Sequence, residues 1–463
     1  MSTNKRNRLD NAPVNKLLFD FAVPSIIAMI VGALYNIVDQ FFIGRSIGTL
    51  GNAATNIVFP LTTSCVALTL LLGIGGASTF NLSMGAKKEK EAAYYLGNAA
   101  SLLFISGLIK CIIVQLFAVP LLKFFGSPSD VLPYAKTYSI ITSLGFPFLI
   151  FANGGGHLVR ADGSPKYTMF INLSGALINT ILDPILIFGL NMGMAGAAIA
   201  TIVGQIFSAF LAFRYLINCR TVHLKIDHII PRFKYVEKII SLGASPFINQ
   251  IALMILQIVQ NNSLTYYGAL SEYGSSIPLA CSGIIMKVNM IFFSVIIGIA
   301  QGLQPIASFN YGAKQYDRVK DAYILAMKRA AVISVIAFIT FQLVPRQIIS
   351  LFGSGSEMYF KFAEAYFRIF LFFTFLNFIQ PISANFFTAI GKPKKGIFLS
   401  LTRQILFLIP LIIILPRFIG IDGIMYAGPI ADLVAAIVTL VLAYYELNNL
   451  KKLQSEQKQT ASI

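Results

Sequence analysis

A chain of 463 residues in which 56% are hydrophobic and only 12% are charged has too few charges to solvate a globular surface of its size, which excludes a soluble protein. Most of its apolar side chains must face lipid or one another. A formal net charge of +17 would suggest a nucleic-acid binder in a soluble protein, so the placement of the 36 Lys and Arg decides what the charge means.

In chain order, residues 1–16 form a polar, basic tail with Lys5, Arg6, Arg8 and Lys16. The first apolar stretch, 17–42, is too long for the h-region of a signal peptide and is expected to remain as a spanning helix. A spanning helix needs about 20 mainly apolar residues. Eleven more such stretches follow at 57–80, 94–120, 132–158, 167–190, 194–217, 239–267, 277–309, 322–344, 359–388, 397–416 and 423–445. The longest connection, 218–238, reads as a basic linker, and 447–463 as a cytoplasmic tail that is basic and frayed from Lys451 onward. The expected architecture is an all-α integral membrane protein of about twelve transmembrane helices in two pseudo-symmetric six-helix bundles. An N-lobe (17–217) and a C-lobe (239–446) flank the linker.

About 26 of the 36 basic residues fall in the tails and alternate loops on one face; the opposite loops carry about 7, including Arg45, Arg346, Lys361 and Arg417. Both termini are therefore expected in the cytoplasm, in a multi-pass protein of the cell membrane. The basic balance reads as a topology signal rather than as nucleic-acid affinity, with attraction to anionic membrane lipid as a second effect. The four cysteines, Cys65, Cys111, Cys219 and Cys281, lie tens of residues apart with no Cys/His cluster, so neither a disulfide framework nor a zinc site follows.

The halves repeat at an offset of about 227 residues. Met84-Gly85-Ala86-Lys87 recurs as Tyr311-Gly312-Ala313-Lys314, and Phe125-Gly126-Ser127 as Phe352-Gly353-Ser354. Gly163-Ser164-Pro165-Lys166 recurs as Gly391-Lys392-Pro393-Lys394, and Gly193 and Gly196 match Gly420 and Gly423. Six crossings per half make this a parallel repeat about an axis along the membrane normal.

Carboxylates within spans cost about 2.5–3.5 kcal/mol on insertion scales and mark cavities or relays. Asp39, Asp183, Asp432 and, less clearly, Glu364 qualify. Asp39 near the outer end of the first span and Asp183 late in the fifth lie at matching depths. Asn179 sits one turn below Asp183 on the same face, and Thr201 reaches that level from the sixth span. The cluster is all oxygen. It can share a proton, because two adjacent carboxylates in low dielectric do not both ionise cheaply, or it can ligate a desolvated alkali cation such as Na+. The residues leave both readings open.

At this point the chain resembles the MATE (multidrug and toxic compound extrusion) family, in its DinF-type branch with the MepA-like members. The resemblance covers about Lys16 to Asn448. It is carried by Pro24 through Tyr35-Asn36-Ile37-Val38-Asp39-Gln40-Phe41-Phe42-Ile43-Gly44, by Arg160-Ala161-Asp162-Gly163-Ser164-Pro165-Lys166, by Asn179-Thr180-Ile181-Leu182-Asp183-Pro184, and by Gln304-Pro305 with Asn310-Tyr311-Gly312. It implies an antiporter that exports amphiphilic, often cationic organic compounds by alternating access between two lobes, driven by entry of H+ and/or Na+, with no cofactor. It also implies ion coupling at Asp39, Asp183, Asn179 and Thr201, and a straight-to-bent change of the first helix about Pro24. Polar Gln257, Gln260, Asn261 and Asn262 stand where other branches carry acids in the seventh span, and Asn377, Gln380 and Asn385 in the tenth. Coupling is thus expected in the N-lobe, and the chain is expected to work as a monomer.

For an adaptable organic pocket, aromatics, Met and scattered amides are wanted: Tyr35, Asn36 and Asn153 from one lobe, Gln257, Asn261, Met286 and Met290 from the other. An alternative from the same superfamily is a lipid-linked oligosaccharide flippase, to which Lys287 and Arg403 are the hints. His157 and Asp162 form an HxxxxD spacing seen in acyltransferases, but it falls in a turn that the repeat already explains, and Gly73-Ile74-Gly75-Gly76 lacks the Lys-Ser/Thr of a nucleotide loop. Those glycines read as close helix contacts. No convergent nucleophile and base point to an enzyme.

Overall fold

The computed structural model describes residues 9–274, 276–351 and 357–461, and among them there is no β-strand. Among the described residues ten helices are long and apolar enough to cross a bilayer, and two bent pairs complete a set of twelve. They are α1 (Val14–Ile47), α2 (Ala53–Gly85), α3 (Glu89–Phe124), α4 (Leu132–Leu144 with Phe146–Ala161), α5 (Pro165–Gly189) and α6 (Gly193–Ile217). The second half has α7 (Phe233–Ala269), α8 (Ile277–Gly312), α9 (Tyr316–Leu343), α10 (Glu357–Leu376 with Ile379–Ala389), α11 (Pro393–Ile419) and α12 (Asp422–Gln457). Every expected span is present. The protein is a multi-pass, all-α membrane bundle in two six-helix lobes.

Local chemistry explains the irregularities. α4 bends by 54° at Gly145, which is followed by Phe146-Pro147, and α10 by 41° between Leu376 and Ile379. Proline removes an i→i−4 hydrogen bond and crowds the preceding turn, so a Gly-x-Pro step is a natural place to change direction. Short π-helical stretches occupy Ile185–Gly189 of α5 and Thr402–Leu408 of α11, in helices related by the repeat.

The repeat extends to the backbone. Lys87 and Lys314 share a left-handed φ of 61° and 59°, Gly163 and Gly391 of 82° and 76°, and Gly193 and Gly420 of 51° and 63°. The third expected match, Phe125-Gly126-Ser127 with Phe352-Gly353-Ser354, has its second member outside the described residues. α7 begins at Phe233, so the connection between the lobes is shorter than the linker read from sequence, and it carries a one-turn helix, Ile226–Ile229. The C-terminal segment read as frayed instead continues the last helix to Ala461.

Among the described residues three buried apolar clusters fill the lobes: one from α1 to α6 that reaches Tyr235 and Ile239 of α7, one from α8 to α12 with Leu264 of α7, and a small one of Leu256, Leu408, Ile412, Ala427 and Ala431 where α7, α11 and α12 meet; α1 contributes to the first two. Its lower residues Leu17, Leu18, Phe21 and Ala22 belong to the second cluster, and Ile43 to the first. Pro24 is buried where α1 changes partners, inside an otherwise continuous helix.

The lobes meet along a seam of small residues at the end of the bundle that carries the termini. A Cβ on Gly243 of α7 would lie 1.7 Å from the Leu71 carbonyl oxygen, and one on Gly75 of α2 would lie 2.1 Å from that of Ile239. Gly298 and Gly302 of α8 press in the same way on Ile26 and Ala22 of α1. Hydrogen bonds from Gln304 to Ser78 Oγ (3.0 Å) and the Ile74 carbonyl (3.3 Å) cross the seam. So do Arg318 bonds to the carbonyls of Leu9 (3.0 Å) and Ala12 (2.8 Å). Backbone contact of this kind is how membrane helices associate where no hydrophobic drive separates them from lipid.

Candidate functional site

α5 and α6 touch through their smallest residues. A Cβ on Gly204 would lie 2.6 Å from the Gly175 carbonyl oxygen, and one on Gly175 would lie 2.1 Å from Ser208 Oγ. One turn above Gly175 stands Asn179, and one turn above Gly204, on the descending α6, stands Thr201, so the glycine contact sets these two side chains against each other. Asn179 Nδ2 donates to Thr201 Oγ1 at 3.2 Å and approaches Asp183 Oδ1 at 3.5 Å. Thr201 in turn donates to the Ala197 carbonyl at 3.0 Å.

α1 completes the cluster. Asp39 is buried, and its carboxyl lies within hydrogen-bonding reach of that of Asp183, which is fully buried. Tyr35 lies one turn from Asp39 on the same face of α1, and its hydroxyl approaches Thr201. The hydroxyl of Tyr138, from the outer arm of α4, approaches Thr201 as well. The four expected ion-coupling residues are thus brought together. Tyr35, expected among the substrate residues, stands beside them, and Tyr138 was not anticipated.

The cluster lacks positive charge. Asp39 Oδ1, Asp183 Oδ2 and Asn179 Oδ1 are buried acceptors with no donor, and among the described residues no Lys, Arg or His forms an ion pair with either carboxylate. An unsatisfied buried acceptor costs about 1–3 kcal/mol, more when charged. A proton between the carboxyls would satisfy the two carboxylate oxygens, and a small cation ringed by carboxylate, amide and hydroxyl oxygens would satisfy all three. Among the described residues no group of three or more His, Cys, Asp or Glu gathers anywhere; the donor set here suits a proton or a hard monovalent cation.

The other acids in spans are compensated. Asp432 of α12, buried, takes a 2.6 Å bond from the partly buried Arg403 Nε of α11, and Glu364 lies 3.5 Å from Arg346. Arg403, one of the two cations that suggested a phosphate-bearing cargo, is thereby occupied. The π-helical turn of α11 carries it; such turns often re-aim functional side chains.

Of the expected substrate residues, Asn36, Asn153, Gln257, Asn261 and Met290 are exposed and Met286 is half-buried. Asn36 folds back to donate to the Gly32 carbonyl at 2.7 Å. Gln260, one turn from Gln257 and next to Asn261, is instead buried and bonded to the Tyr366 hydroxyl at 2.7 Å.

The discarded motifs have structural roles. His157 Nδ1 lies 3.3 Å from Arg160 Nη1. Asp162 serves the linker, accepting from the Arg220 and Thr221 amides at 2.8 and 3.2 Å and from the Tyr215 hydroxyl at 2.8 Å. Gly73 and Gly76 pack against Gly154 and Ala99.

Comparison with known proteins follows the same lines. The MatE family model matches residues 24–185 and 250–414. A multidrug export protein MepA of Staphylococcus haemolyticus (strain JCSC1435) is 24% identical over 442 residues, spanning 95% of this chain and 96% of that one. MepA of Staphylococcus aureus (strain MSSA476) is 23% identical over 94% of each. Among solved structures, an outward-facing multidrug resistance MATE family transporter of the MOP superfamily superposes with a TM-score of 0.90 at 23% identity, covering 97% of this chain and 99% of that one. A MOP superfamily transporter from Pyrococcus furiosus, described as having a binding pocket of reverse polarity, gives 0.90 at 22% with the same coverage.

Proposed function

Because the chain belongs to the MatE family of membrane transporters, we propose that it is a cation-coupled antiporter that exports amphiphilic organic cations, with Asp39 and Asp183 as the pair through which the coupling ion acts. A family of transporters leaves no enzymatic activity to assign. What carries the reading is the uncompensated carboxylate pair, buried, mutually in reach and with one oxygen of each carboxyl left without a protein donor.

In this mechanism the lobes are sealed at the terminus-bearing, cytoplasmic end and the cleft opens outward. The carboxyl groups in mutual reach hold one proton between them. With the proton absent, two negative charges in low dielectric attract an organic cation into the cleft; with it present, that attraction weakens and the cation leaves. The oxygens of Asn179, Thr201, Tyr35 and Tyr138 steady the pair, and they let Na+ compete for the same place. Gln257, Asn261, Met286 and Met290 offer adaptable contacts from the C-lobe. A change at Asp39 is felt along α1 as far as Pro24, where the helix leaves the N-lobe for α8. Bending there loosens the Ala22 and Ile26 contacts that hold the seam. The protein acts as a monomer in the cell membrane with both termini in the cytoplasm.

Exchange of one H+ for one monovalent cation moves no net charge, whereas each uncompensated charge would couple to voltage at about 2.3 kcal/mol per 100 mV. Proteoliposomes loaded with a fluorescent organic cation and given pH, sodium or voltage gradients one at a time test this. The expected result is transport driven by pH and abolished in Asp39→Asn and Asp183→Asn. Transport at the native rate in either variant, inserted normally, would refute ion coupling at the pair.

A further inference from the structure

We propose that the terminus-bearing end of the N-lobe holds a specific binding site for the headgroup of an anionic phospholipid, between α5 and α6 beneath the linker. A cavity of about 450 Å³ there is lined by Arg214, Arg220, Tyr167, Asn218, Phe170 and Leu211. The two guanidiniums form no ion pair with any carboxylate among the described residues, and Arg220 lies over the Tyr215 ring at 5.9 Å. The nearby Asp162 does not neutralise them. Its oxygens are taken by the Tyr215 hydroxyl, the Arg220 and Thr221 amides and the Thr221 hydroxyl.

The related end of the C-lobe is built differently. There Lys392 and Lys395 (2.7 Å) close onto the fully buried carboxylate of Glu446, so the basic charge has its counter-ion within the protein. In the N-lobe the counter-ion must come from outside, and planar guanidiniums suit the oxygens of a phosphodiester.

The surroundings select a lipid rather than a soluble phosphate. Exposed Phe170, Phe210, Phe213 and Ile217 continue from the cavity along the outer faces of α5 and α6, a surface for acyl chains directly beyond the charged mouth. Basic recesses between spanning helices at the cytoplasmic level are the setting in which anionic headgroups bind. Because the linker is tied to the same corner through Asp162, an occupied site would hold the connection between the lobes against α5 and α6.

Native mass spectrometry of delipidated protein, titrated with phosphatidylglycerol or phosphatidylcholine, tests the proposal. One phosphatidylglycerol is expected to bind at least tenfold more tightly than phosphatidylcholine. Arg214→Gln with Arg220→Gln should reduce that affinity to the phosphatidylcholine level, while Arg214→Lys with Arg220→Lys keeps part of the preference. Equal affinity of the native protein for the two lipids would overturn the proposal without any variant. Undiminished phosphatidylglycerol binding by the glutamine variant would do the same, and displacement of the lipid by equimolar glycerol phosphate would reassign the site to soluble phosphates.

Discussion

Adding a methyl group at Gly243 places a carbon 1.7 Å from the Leu71 carbonyl oxygen, where ordinary contact begins at 3.4 Å, so α7 and α2 must separate by about 1.7 Å. Both contacting groups are backbone, and no side chain can rotate away. Overpacking of this kind costs about 1–3 kcal/mol, and the cost falls only on the state in which the seam is shut. The sealed state of Gly243→Ala should therefore lose about 5- to 150-fold in population relative to the open one. Spin labels on α2 and α7 near the terminus-bearing end would read this as growth of a longer-distance population. Gly283→Ala on α8 is the control, since its added carbon meets nothing within 4 Å. If Gly243→Ala and Gly283→Ala gave the same distance distribution, the seam would not be the gate.

Other consequences concern charge. Arg403→Met leaves the Asp432 carboxylate buried without its counter-charge and should destabilise the protein by about 3–5 kcal/mol; adding Asp432→Leu should restore most of the unfolding temperature. Ion dependence of transport in that double variant should match the native protein. Thr201→Val removes a ligand oxygen but neither carboxylate, so inhibition of transport by sodium should weaken while the response to a pH gradient persists. Asp162→Ala releases three donors of the linker and the Tyr215 hydroxyl of α6, and should increase proteolysis between Asn218 and Phe233 without changing the coupling ion.

The spanning helices were legible because runs of apolar residues in lipid have little choice but to become helices. The turns were legible as repeated Gly-Ala-Lys and Gly-x-Pro-Lys patterns, since left-handed backbone at Lys87 and Lys314 or at Gly163 and Gly391 needs the same local sequence twice. The Asn179–Asp183 face followed from i,i+4 spacing, and Tyr35 could have been placed with Asp39 by the same rule. Tyr138 could not. Its approach depends on the 54° bend of α4, which Gly145 and Pro147 permit but whose direction is fixed only by packing. The pairing of Arg403 with Asp432 was equally hidden, because it joins two helices and depends on a π-helical turn with no sequence signature of its own. Chain termination of the last helix was misread because the polar run after residue 450 looks disordered, yet its Lys452–Glu456 pair at i,i+4 supports continued helix.

Proton release on substrate binding addresses the carboxylate pair most directly. Purified protein in weakly buffered detergent, mixed with an organic cation at a pH where the pair is protonated, should release about one proton per molecule bound, and none at high pH where the pair is already empty. Asp183→Asn, still able to bind the cation, should release none at either pH. Binding without proton release in the native protein at every pH, or full release in Asp183→Asn, would contradict the proposal that these two acids share the coupling proton.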